Sequence, residues 1–383
     1  MKKIIFTGDF LYNSEKQNKE QLCLYFKIFE PIIRSVVDDS IELTFDIVNV
    51  NNEKFSREKF FALNAVYNLK NIYNQYNVNK FNSEQLNYLK DFFNKDTIVI
   101  AFELYQPLCN LLTSFGCKVL DFAFHSYKLF NDNTFAIYSN DVNVYKNLLK
   151  YKVPQDRFFY YARYWQVYMQ ANNMIEDEDI EENSCIFVGQ TLQDKSVEKD
   201  GVYLNVTHFE EKLKELSKEY SKIYYIPHPY LGGKRKTIYN WVKKCPYIEL
   251  LTNRSTYGLL ASNKISKVVA ISTSVLYEAQ YFEKEVEYLY KPLFNIDVPF
   301  EQHSYVSIHE DMWNPKFWAD ILSQICKTKN NVPDVNYFKG SSNMLRNIRD
   351  TYWGYAQLDP IRNKLTIKQY LKQIYMKYIA PLF

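Results

Sequence analysis

The chain has 383 residues, enough for two domains of roughly 150–200 residues each rather than a single core. Its 47% hydrophobic content is that of a globular protein and excludes a disordered or fibrous chain. A formal net charge of +3 is too small for the concentrated basic face that nucleic acid demands, so no nucleic-acid partner is expected.

At the N-terminus, Met1-Lys2-Lys3-Ile4-Ile5-Phe6 is apolar only as far as Thr7-Gly8-Asp9, too short for the core of a signal peptide. Lys3 to Thr7 instead reads as a buried parallel strand ending in Gly8-Asp9. Helical spacing follows over 16–37, a strand pattern over 43–50, and helices over 57–76 and 83–94. Thr97–Phe102 is the clearest strand of this half; a short helix over 106–115 and a strand over 117–121 come after it. The acidic run 176–183 lacks a core pattern and marks a surface linker. Beyond it the alternation restarts, with strands at 185–188, 222–226, 247–250, 267–271 and 286–290 and helices at 208–220, 255–262 and 273–282.

Short apolar strands alternating with helices indicate parallel sheets covered on both faces. The expected class is α/β: two doubly wound, Rossmann-like domains of the kind called GT-B, facing a central cleft, with a C-terminal helical tail. The expected limits are 1–175 for the first domain, 184–340 for the second and 341–383 for the tail. From Ile361 the tail carries Arg362, Lys364, Lys368, Lys372 and Lys377, with Ile367, Leu371, Ile374 and Tyr378 at helical spacing. That pattern fits a basic helix in peripheral contact with an anionic inner membrane, or a helix packed across the domains. No stretch approaches the ~20 apolar residues that span a bilayer. Six scattered cysteines without CxxC spacing argue for a reducing, cytoplasmic setting and against a zinc site. The 34 Tyr and 27 Phe fit either an AT-rich coding bias or an aromatic, sugar-binding surface.

Three polar clusters fall at the carboxyl ends of strands in the second half, where doubly wound sheets bind ligands. They are Gly189-Gln190-Thr191-Leu192-Gln193-Asp194-Lys195-Ser196, then Pro227-His228-Pro229 with Gly232-Gly233-Lys234-Arg235-Lys236, then Ser272-Thr273-Ser274 with Glu278 one turn on. Taken singly, each has an ordinary explanation: a structural histidine, a solvated basic face, an N-cap. In order on successive strands they point to a site. His228, stiffened between two prolines, can donate to a phosphate oxygen. Ser272, Thr273 and Ser274 offer hydroxyls and N–H groups at a helix start. Glu278 can accept ribose hydroxyls, and Lys234 and Arg235 can meet a carboxylate or diphosphate. In the first half, Glu103 and His125 follow strands and are candidates for acceptor contact or proton transfer.

The Pro-His-Pro, Ser/Thr-Ser and Glu pattern resembles bacterial glycosyltransferases that use CMP-activated ulosonic acids, among them sialyltransferases. Gly189-Gln190 with Asp194-x-Ser196 resembles more specifically the capsular polysaccharide β-Kdo transferases. The resemblance implies a CMP-Kdo or related donor, no cofactor, a glycan or lipid-linked glycan acceptor, and retention of configuration. It implies catalysis by Asp194 as nucleophile or electrostatic stabiliser, with Gln190, Ser196, His228, Ser272, Thr273, Ser274 and Glu278 around the donor. An Asp-x-Asp pair occurs at Asp177 and Asp179, in the linker and not beside a strand, so transfer without divalent metal is expected. The alternatives are a sialyltransferase, a CDP-glycerol glycerophosphotransferase, and a non-catalytic polysaccharide-binding assembly protein.

Overall fold

The computed structural model describes residues 2–11, 19–44, 55–65, 80–175, 177–192, 194–200, 202–228, 231, 235–252, 254–338, 343–347, 371 and 375. Lys234, the amphipathic tail from Ile361 apart from Leu371 and Tyr375, and most of the expected strand over 43–50 and helix over 57–76 lie outside them. The chain divides into two compact units. Unit 1 holds Met1–His125, Asn133–Val153 and Phe294–Asn343; unit 2 holds Ser126–Asp132, Pro154–Leu293 and the described residues from Met344 on.

Unit 1 begins with β1 (Lys3–Gly8), β2 (Glu42–Thr44), β3 (Thr97–Phe102), β4 (Lys118–Phe124) and β5 (Phe135–Ser139). β2, β1, β3 and β4 lie side by side and parallel, with β5 antiparallel on β4. Every residue of β3 is buried, as a strand covered on both faces must be. Val99 and Ala101 join a core with Leu89, Leu108 and Leu112 from the helices Ser83–Phe92 and Gln106–Ser114. On the opposite face Phe122 stacks on Trp318 and Phe29. The helix Ser83–Phe92 starts where the sequence can start one: Asn82 accepts from Gln85 N–H while the Gln85 side chain accepts from Asn82 N–H.

Unit 2 contains β6 (Ser184–Val188), a small hairpin of β7 (Glu198–Lys199) and β8 (Val202–Tyr203), then β9 (Ile223–Ile226), β10 (Glu249–Leu250), β11 (Ile265–Ala270) and β12 (Glu285–Tyr288). Its main sheet is wholly parallel, in the order β10-β9-β6-β11-β12. Cys185, Phe187, Ile223, Tyr225 and Val269 pack with Leu213, Leu216, Ile238 and Val242 of the helices Glu210–Leu216 and Arg235–Lys244. The residues of the other phase, Ile186, Val188, Val268 and Ala270, are buried as well. The chain then returns to the first sheet with β13 (Asn295–Ile296) and β14 (Ser304–Ile308), which pairs antiparallel with β5.

The class is therefore the expected one, α/β with two doubly wound sheets, but the boundaries need correction. The helix Gln155–Ala171, assigned from sequence to the first domain, belongs to unit 2, where Trp165 donates to Leu129 O and Phe158 stacks on Tyr281. The segment from Phe294, assigned to the second domain as far as 340, belongs to unit 1 and completes its sheet with β13 and β14. Nor is the acidic run a loose linker. Asp179 pairs with Arg254 at 2.7 Å, Asp177 accepts from Ser262, and Ile180 is buried, all within unit 2. Among the described residues no helix is long and apolar enough to cross a membrane.

Candidate active site

In the sheet of unit 2 the strand order reverses between β6 and β11, and a doubly wound sheet opens a crevice outside the carboxyl ends at that point. Gly189 follows β6 directly and approaches β9 closely: a Cβ there would lie 2.7 Å from the Tyr225 hydroxyl and 3.0 Å from Ile226 O. Only glycine fits without displacement, and its N–H donates to Ile226 O at 2.8 Å. Gln190 then spans the reversal. Its Oε1 accepts from Ser272 N–H at 2.6 Å, and its Nε2 donates to Ser196 Oγ at 3.3 Å. Two clusters 82 residues apart in sequence are thus joined.

Asp194 accepts from Ser196 N–H at 2.8 Å and caps a short 3-10 turn, Lys195–Val197, which holds its carboxylate half-buried at the crevice. His228, at the end of β9, is also half-buried. Burial first, and the nearby Lys128 ammonium second, push its pKa down to about 4, while the Asp194 carboxylate pulls the other way. At neutral pH the imidazole is uncharged and carries a single N–H. The strand-end expectation for Asp194, Gln190, Ser196, His228 and Ser272 is one of convergence, and unit 2 brings them together.

Three expectations change in detail. The helix after β11 spans only Val275–Ala279, too short for its dipole to make an anion site, and Ser274 makes no side-chain cap. Instead Ser274 Oγ accepts from Lys128 Nζ at 2.9 Å, while Thr273 Oγ1 meets Val275 N–H at 3.4 Å and Ser272 Oγ donates to Lys291 O. Glu278, expected to bind a ribose, is fully buried. Its carboxylate accepts from the Tyr257 hydroxyl at 3.0 Å and from Lys128 N–H at 2.7 Å, which leaves it a scaffold role. Arg235 opens the helix Arg235–Lys244, and its neighbour Lys234 is outside the described residues. Among the described residues no group of three or more His, Cys, Asp or Glu side chains is placed to hold a metal ion.

Lys128 is the residue that sequence reasoning missed. It sits in Ser126-Tyr127-Lys128, just past the end of β4, with no motif around it. Its partners lie far off in sequence, Ser274 146 residues away and Glu278 150.

In unit 1 the corresponding reversal lies between β1 and β3, whose ends are paired at Gly8 and Phe102. Asp9 and Glu103 leave the sheet there. Glu103 has φ 49, a left-handed conformation that side chains other than glycine seldom adopt and that clusters at functional positions. Asp121, fully buried, holds the turn by accepting from Leu104 N–H at 3.0 Å and from the Tyr305 hydroxyl at 2.6 Å. His125 does not suit the acceptor role expected of it. It is 3% exposed, its Nε2 lies 2.7 Å from Ser307 Oγ, and the Ser307 hydroxyl donates to Asp297. Burial, reinforced by the nearby His309, drives its pKa down to about 3, so it is a neutral interior ring.

No protein-family model matches the chain, and no curated protein matches it. Solved structures that it is similar to include the β-Kdo 2,7 transferase KpsC of Thermosulfurimonas dismutans, at 13% identity over 83% of this chain and 90% of that one, TM-score 0.39. The heptosyltransferase WaaC of E. coli, solved with ADP-2-deoxy-2-fluoro heptose, is 10% identical over 85% and 96%, TM-score 0.25. The UDP-GlcNAc 2-epimerase of Neisseria meningitidis, bound to UDP-GlcNAc, is 12% identical over 76% and 82%, TM-score 0.24. The site in unit 2 is accordingly read from its own residues.

Proposed function

We propose that the chain is a glycosyltransferase that moves Kdo or a related ulosonic acid from a CMP-activated donor to a glycan or lipid-linked glycan acceptor. One observation carries this reading: the Gln190–Ser272 hydrogen bond across the reversal in strand order, which ties the segment after β6 to the segment after β11 where such a sheet can bind a nucleotide.

In the proposed reaction the bond from the anomeric carbon to the phosphate oxygen breaks and CMP departs. The anomeric carbon of a ulosonic acid becomes cation-like as that bond stretches, and the Asp194 carboxylate supplies the opposing charge. Retention of configuration follows if Asp194 takes up the sugar before the acceptor does. Neutral His228 donates its N–H to the leaving phosphate, with the Ser272–Ser274 segment beside it. Glu103 of unit 1 is proposed to contact the acceptor hydroxyl and take its proton. No step requires a cofactor or a divalent metal. The basic tail is proposed to hold the protein at the membrane that carries a lipid-linked acceptor.

The test begins with thermal stabilisation by CMP, UDP, GDP and CDP-glycerol. CMP is expected to raise Tm selectively, and selective stabilisation by UDP would overturn the donor. Incubation with CMP-Kdo and lipid-linked glycans, read by mass spectrometry, is expected to add one Kdo to the acceptor. Addition of sialic acid or glycerol phosphate from the matching donors, in place of Kdo, would assign the chain to those reactions.

A further inference from the structure

Lys128 belongs to the short segment Ser126–Asp132, which unit 2 holds along its length. Glu278 accepts from Lys128 N–H at 2.7 Å, and Arg346 donates to Lys128 O at 2.9 Å. The same guanidinium donates to Phe130 O at 2.9 Å, and Asp132 accepts from Arg346 N–H at 2.9 Å. Both Glu278 and Arg346 are fully buried. A buried carboxylate and a buried guanidinium are costly unless they are hydrogen-bonded, so the bonds they make to this segment favour one arrangement of its backbone. The backbone of Lys128 is therefore fixed on both sides, while its side chain reaches Ser274 Oγ at 2.9 Å.

We propose that Lys128 is the cation that holds the anionic group of the ligand at the strand ends of unit 2, and that Glu278 and Arg346 are its positioning residues. The anion is assigned as the nucleotide phosphate, which rests on the nucleotide reading given above. Two points support the placement. The ammonium, 2.9 Å from Ser274 Oγ, stands at the segment whose Ser272 N–H is bound by Gln190, and its charge acts on the His228 ring. A lysine held by its own main chain also loses little further backbone freedom on binding, as preorganised sites require. This accounts for Glu278 as well: its buried carboxylate acts on the ligand through Lys128.

The experiment measures CMP, cytidine and inorganic phosphate binding to the full chain by calorimetry. Lys128→Met is expected to weaken CMP binding by about 10- to 100-fold, the range for one charge-assisted hydrogen bond, while cytidine affinity stays unchanged. Lys128→Arg should restore most of the loss. Glu278→Gln, whose carbonyl can still accept from Lys128 N–H, should bind CMP nearly as wild type, whereas Glu278→Leu should lose the phosphate increment without losing cytidine. If Lys128→Met does not fold, Lys128→Gln carries the same comparison. Unchanged CMP affinity in a folded Lys128 variant overturns the proposal, as does an equal loss of CMP and cytidine. If the wild type binds UDP instead of CMP, the donor reading fails, and loss of UDP affinity in Lys128→Met still upholds the role of Lys128. Wild-type protein that binds neither a nucleotide nor phosphate overturns both.

Discussion

Asp194 has two duties that substitution can separate. Its Oδ1 accepts from Ser196 N–H, which any side-chain carbonyl can do, and its charge faces His228, which only a carboxylate provides. Asp194→Asn is therefore expected to keep the fold and CMP affinity but lower kcat by roughly 10²–10³, the range for removing one electrostatic stabiliser of a transition state. Activity within a few-fold of wild type would remove Asp194 from the chemistry. His228 belongs to the ligand side: His228→Ala should weaken CMP binding and turnover together, and unchanged nucleotide affinity would contradict the phosphate contact. These residues were legible in the sequence because each follows its strand by a few peptide bonds. Glu278 was legible as a residue but not in its role, because its partners Tyr257 and Lys128 are fixed by folding.

At the scale of elements, the junction of β6 with β9 is the tightest part of the site. Gly189→Ala would set a methyl group 2.7 Å from the Tyr225 hydroxyl, so a loss of about 1–3 kcal/mol in unfolding free energy is expected. Tyr225→Phe removes that oxygen and should recover part of the loss in a double-mutant cycle; strict additivity would mean that the strain lies elsewhere. In unit 1, Asn82→Ala removes half of a capping box and should cost about 1 kcal/mol, read by denaturant unfolding. The five-residue apolar run Ile98–Phe102 of β3 was plain in the sequence. The helix Gln155–Ala171 was not: Phe158, Ala162 and Met169 are buried, yet Tyr160, Tyr164, Val167 and Tyr168 on its other side are exposed and blur the period. β5 and β14, five buried residues each, gave no period to separate strand from helix.

For the whole molecule, stability should depend on pH through three buried or half-buried histidines. The His228 pKa is lowered to about 4, that of His125 to about 3, and that of His303, stacked on Tyr138, to about 4, burial being the first cause in each. The unfolded chain binds protons at these rings near pH 6.5 and the folded chain does not, so folding is favoured above that pH. Stability should fall as pH drops from about 6.5 toward 4. Between pH 5 and 6.5 ordinary carboxylates are mostly ionised, so thermal unfolding there reports largely the rings, and a flat Tm would contradict their neutral burial. What the sequence determined by itself was local: the alternation of strands and helices, the α/β class, and the polar residues at the strand ends, since period and adjacency are properties of neighbouring residues. Only the tertiary structure decided which segments share a unit. It sent 294–343 back to the first sheet and assigned 126–132 to the second unit. It also placed Lys128 against Glu278 across 150 residues, because a hydrogen bond between distant segments leaves no period and no spacing in the chain that makes it.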